Sequence, residues 1–129
     1  MLRRFAWMLI PAALAWAGGF FLTVHNEGNA ITVAAEGCRD YSHAQITAQA
    51  VGLVNGRRRQ IPLELTATGK GTYTVRKQWP KEGKWVLVFN GTYSNLHTHT
   101  LVELSADGQL HPRMYMRPVA AEEIEAALR

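Results

Sequence analysis

The sequence predicts an all-β fold, a seven-stranded antiparallel sandwich of immunoglobulin-like architecture, with an N-terminal signal or anchor helix and a short C-terminal helix. Three observations carry this expectation. From Ala30 onward apolar and polar residues alternate with period two, and turn signals recur at roughly the 8–12-residue spacing of sandwiches and barrels. No helical crossover separates the strands, which excludes a parallel sheet. A chain of 129 residues has material for one core and not two. The expected organisation is a signal peptide or membrane anchor over residues 1–30, a sandwich over 31–118 and a helix over 119–129.

The first segment is read from charge and hydropathy. Arg3 and Arg4 precede the stretch Phe5 to Val24, twenty residues without an ionisable side chain. Charge followed by an apolar run is the order of an export signal, so the chain is expected outside the cytosol, periplasmic or tethered to the inner membrane through residues 5–24. Twenty apolar residues also suffice to span a bilayer. Two tripeptides, Ala15-Trp16-Ala17 and Gly28-Asn29-Ala30, satisfy the small-x-small rule for cleavage, so release and retention both stay open. Cys38, the one cysteine, excludes an intramolecular disulfide and leaves apolar burial to hold the domain. It lies too far beyond the apolar run, and behind Glu36, to be a lipidation site.

Ala30 to Glu36 forms the first expected strand, with Ile31, Val33 and Ala35 on one face. Ala44 to Val54 is the second, turning at Asn55-Gly56 into a third strand whose inner face is Ile61, Leu63, Leu65 and Ala67. Pro62 has no N–H to donate to a ladder, so that strand sits at an edge or begins there. After Gly69-Lys70-Gly71, Thr72 to Trp79 alternates cleanly and is expected to keep one face in water. Lys84 to Thr92 is different: Trp85, Val86, Leu87, Val88 and Phe89 are apolar on both faces, the pattern of a central strand covered twice. Leu96 to Leu104, a turn at Asp107-Gly108 and Leu110 to Arg117 complete the set. Beyond Pro118, Glu122 and Glu123 near the start suit a helix N-terminus, and so short a helix must pack to persist.

The run Gly71-Thr72-Tyr73-Thr74-Val75, then Pro80, then Gly83-Lys84-Trp85-Val86-Leu87-Val88, resembles the G-x-Y … G-x-W-x-L-x-V hairpin of small exported bacterial domains of the YtkA-like and FixH-like type. That resemblance covers about residues 69–90. It implies a single sandwich domain behind a signal peptide or one membrane helix, in a group some of whose members are associated with metal handling or oxidase maturation.

Candidate chemistry is sparse. His97 and His99, two apart on a strand, project from one face and can chelate an ion together. If the last strand lies beside theirs, His111, Met114 and Met116 would join them in a nitrogen and thioether set that suits copper. Ser42 and His43 near Asp40 are the nearest approach to a hydrolytic arrangement, although neighbours on a strand face opposite ways. Arg57, Arg58, Arg59, Lys70, Arg76, Lys77, Lys81 and Lys84 make the middle hairpins basic. The formal charge of +4 falls to +2 without Arg3 and Arg4, which gives no case for nucleic acid. The expectation is therefore a non-catalytic exported module that binds an envelope protein or component, with a copper-binding accessory protein and a small hydrolase as the competing readings.

Overall fold

The computed structural model describes residues 19–129, and the arginines and most of the apolar run of the expected export segment lie outside them. Two antiparallel sheets face one another across a core, and one helix covers the second sheet from outside. The first sheet has the order β1 (Phe21–Glu27), β2 (Ala30–Glu36), β6 (Thr72–Arg76), β5 (Leu65–Gly69). The second has the order β4 (Arg57–Leu63), β3 (Ala44–Val54), β7 (Lys84–Tyr93), β8 (Leu96–Leu104), β9 (Leu110–Tyr115). The helix α1 spans Ala121–Leu128. The all-β expectation holds, but the described residues form nine strands rather than seven.

One added strand is β1, which corrects the expected domain start at residue 31. The last residues of the apolar run alternate: Phe20, Leu22 and Val24 are 5%, 6% and 9% exposed, while Phe21 and His25 face outward. β1 pairs with β2 along its whole length, from Phe21 opposite Glu36 to Glu27 opposite Ala30. The Gly28-Asn29 pair left between them is a two-residue hairpin loop, with Gly28 at φ +74°, a conformation open to glycine. An apolar run reads the same to a hydropathy scan whether it enters a bilayer or a protein core.

The other addition comes from the expected third strand, which is two. Leu63 ends β4 in the second sheet and Leu65 begins β5 in the first, so the chain changes layers at Glu64. Pro62 does sit on an edge strand. β6 ends at Arg76, short of the expected Trp79, whose side chain nevertheless packs against the core from the following loop.

β7 occupies the middle of the five-stranded sheet and is covered on both faces, as its composition demands. Its inward residues Trp85, Leu87 and Phe89 meet Ile31, Val33 and Val75 of the opposite sheet. Its outward Val86 and Val88, with Val51 and Leu101, meet Ala127 and Leu128 of α1 and the half-buried Ile124 and Val119. Trp85 lies over Gly52, the residue opposite it on β3, and its indole Nε1 donates to the Glu82 carbonyl at 3.0 Å. A methyl group at residue 52 would collide with the ring.

The approach to α1 is held by a clasp. Glu123 accepts from the Arg117 guanidinium at 2.7 and 3.1 Å and from the Ala120 N–H at 2.9 Å, and Arg117 stacks 5.0 Å from the centre of the Tyr115 ring. The Arg117 contact, then the Ala120 N–H, draws the Glu123 carboxyl down to about 2. Arg58 of β4 pairs with Glu125 and ties the far side of the helix down.

Two expectations follow. Gly52→Ala should cost about 1–3 kcal/mol of stability by urea unfolding, because a buried ring has to move; an unchanged midpoint would mean that Trp85 is not seated there. The Glu123 carboxyl titrates lower in the folded chain than its ordinary value near 4.5, so its stabilisation is present at neutral pH and is lost as pH falls from there toward 2. The thermal midpoint of the parent should therefore fall more steeply over that window than that of Glu123→Gln, and parallel curves would contradict the clasp.

Candidate functional site

The residues anticipated for copper do not converge. His97 and His99 share the helix-side face of β8, as their spacing requires, and His111 shares that face on β9. His111, however, stands opposite Glu103, four residues along β8 from His99, or about 13 Å at the rise of a strand. Met114 is paired with Thr100, a residue of the sandwich-side face, so its thioether lies across the sheet from the imidazoles. Met116 follows β9 with the same parity. Both methionines are open to solvent, 54% and 81% exposed. Among the described residues no cluster of three or more His, Cys, Asp or Glu side chains is placed to hold a metal ion.

The two histidines that remain together are held differently. His99 is half-buried, with Nδ1 2.7 Å from the Asn90 Oδ1, and an Nδ1–H donating there leaves Nε2 as the free nitrogen. Burial, then the neighbouring His97, pushes the His99 pKa down, so the ring is neutral at pH 7.

Ser42 and His43 fall in a single 3-10 turn, Tyr41–His43, rather than on a strand. The turn bends both toward Asp40: the Ser42 hydroxyl donates to Oδ1 at 2.6 Å and the His43 Nε2 lies 3.7 Å from Oδ2. A nucleophile needs its base on the hydroxyl, whereas here the hydroxyl is committed to the carboxylate. Asp40 also accepts from the Ser42 N–H at 3.0 Å, and the Ser42 contacts hold its carboxyl below the usual range, which makes it a poor base and a good cap. Cys38 is half-buried against the core, and burial, with the charge of Glu36, pushes its thiol up and disfavours the thiolate.

What the fold does assemble was read in the sequence only as a basic tract. Between the loop joining β6 to β7 and the turn joining β8 to β9 lies a half-open groove of about 760 Å³. Its floor is apolar, built from Ile31, Trp79, Trp85, Leu104 and Leu110. Lys77, Lys81, Lys84 and His111 line it, and the one carboxylate in the lining, Glu103, is already paired with Arg113. Lys77 donates to the Gly28 carbonyl at 2.8 Å and Lys84 to the Arg129 carbonyl at 2.7 Å. A carbonyl takes one of an ammonium's three protons and none of its charge, so Lys77 stays cationic, while the Lys84 ammonium turns to Arg129 at the C-cap of α1, outside the groove lining. The walls are tied together by the Trp85 indole on Glu82, by Asn26 Nδ2 donating to the Gly108 carbonyl at 3.0 Å, and by the Asp107 carboxylate, which accepts from Ser105 and Gln109 within its turn. Lysines at 77, 81 and 84, interleaved with Trp79 and Trp85, were the available signal.

No protein-family model, curated protein or solved structure matches this chain. Its geometry is therefore the basis for assigning a role.

The separation of imidazoles from thioethers has a direct check. Replacing Met114 and Met116 together by Leu should change the affinity for Cu(I) and Cu(II), read by chelator competition, less than twofold; a tenfold loss would mean that sulfur and imidazole share an ion.

Proposed function

We propose that this chain is an exported, non-catalytic sandwich module of the bacterial cell envelope that binds an acidic segment of an envelope protein in the lysine-lined groove. The strand orders support an immunoglobulin-like architecture: β1-β2-β6-β5 faces β3-β7-β8 as the four strands face the three of a constant-type domain, with β4 and β9 added at the two edges of the second sheet.

One observation carries the ligand class. Lys77, Lys81 and Lys84 line a trough whose floor is apolar and tryptophan-bearing and whose one lining carboxylate, Glu103, is paired with Arg113. Anions are attracted by the rim, apolar side chains are desolvated by the floor, and a partner with both is favoured over one with either. A trough open along one side does not enclose a small molecule to the usual extent, but it lets an extended chain pass through.

The test uses a fluorescein-labelled peptide of alternating glutamate and leucine, compared with a lysine–leucine counterpart of the same length. The acidic peptide should bind with micromolar affinity, weaken as salt is raised from 50 to 500 mM, and lose tenfold or more with Lys77→Glu plus Lys81→Glu. Equal binding of both peptides, or binding indifferent to the double substitution, would remove the proposal.

A further inference from the structure

From β1 we infer that the export segment is cut between Ala17 and Gly18, releasing a mature domain that starts two residues before Phe20. The inference rests on the export reading and decides between the two cleavage tripeptides the sequence offers.

Cleavage after Ala30 is incompatible with the sandwich. It would remove all of β1 and with it Phe20, Leu22 and Val24, three buried side chains of the main core. Phe20 packs at a tilt against Tyr93, ring centres 5.8 Å apart, and closes over Gly91, so its loss opens the end of the core where β7 and β8 meet. Val24 is the partner of Val33 and Leu22 of Ala35, and without β1 the backbone of β2 would be left as an unpaired edge of the sheet. The groove would lose two tethers as well, the Gly28 carbonyl that accepts from Lys77 and the Asn26 amide that donates to the Gly108 carbonyl. Gly28-Asn29-Ala30 satisfies the small-residue rule because a tight hairpin needs small residues at the same place.

The same strand shortens the supposed anchor. With Phe20 to Val24 committed to the core, the apolar run ahead of it is Phe5 to Gly19, fifteen residues, or about 22 Å as a helix. A bilayer's hydrocarbon layer is about 30 Å thick. Fifteen residues fall within the apolar length of a cleaved signal, and Ala15-Trp16-Ala17 stands at its end. The reaction is hydrolysis of the Ala17–Gly18 amide by a membrane signal peptidase: one water is consumed, a carboxylate forms on Ala17 and an ammonium on Gly18. Gly18-Gly19 then separates the new terminus from the first core residue.

The experiment is expression of the full chain in a bacterium with a periplasm, fractionation, and intact mass with N-terminal sequencing of the product. A periplasmic species beginning at Gly18 is expected, and Ala17→Phe should convert it to accumulating precursor without a shift to the downstream tripeptide. A product beginning at Ile31, or an uncut chain retained in the membrane, overturns the inference while leaving export intact. An uncut chain in the cytosol overturns both.

Discussion

The structure depends on a strand that has no solvent face. Trp85, Leu87 and Phe89 on one side of β7 and Val86 and Val88 on the other are all removed from water, so β7 cannot lie at an edge or in an open sheet. Two coverings are required, and each has a different source. The four-stranded sheet supplies the first, through Ile31, Val33 and Val75; the C-terminal helix supplies the second, through Ala127 and Leu128. A helix of eight residues has little stability of its own, and this one exists because that apolar strip is available to it. Its clasps, Arg117 on Glu123 and Arg58 on Glu125, fix its position once burial has favoured its formation.

How much of this the sequence discloses depends on whether a feature is local. The doubly apolar pattern of β7, the edge position announced by Pro62 and the turns at Asn55-Gly56 and Asp107-Gly108 are properties of short segments and are present in the structure. The passage from β4 to β5 is not local in that sense. Leu63 and Leu65 are two apart and both face inward, so parity is unbroken while the chain crosses from one sheet to the other. β1 was hidden for another reason: its apolar residues continue the run that reads as an export signal, and its turn, Gly28-Asn29, has the composition of a cleavage motif. Both readings of those residues are chemically sound, and only the pairing with β2 separates them.

The site followed the same division. That His97 and His99 share a face was given by their spacing. That Met114 opposes His111 was also there to be read, since residues three apart on one strand cannot project together. The register of β9 on β8 added what spacing could not, placing His111 well along the strand from His99. The groove, by contrast, joins residues from β2, the β6–β7 loop and the β8–β9 turn, three segments far apart in the chain. Its lysines were visible as charge; that they surround an apolar floor is a consequence of topology. The same topology sets the β1 hairpin beside that groove, where the Gly28 carbonyl accepts from Lys77 and the Asn26 amide donates to the Gly108 carbonyl.

Native-state hydrogen exchange tests the central claim, that a doubly covered β7 organises the molecule, most directly. The amides of β7, and those of β3 and β8 paired with it, should exchange slowest and only through global unfolding, while the edge strands β4 and β9 open earlier. If the amides of Val86, Leu87 and Val88 exchanged as fast as those of β4, β7 would not be the covered centre, and the helix and both sheets would need another reason to be where they are.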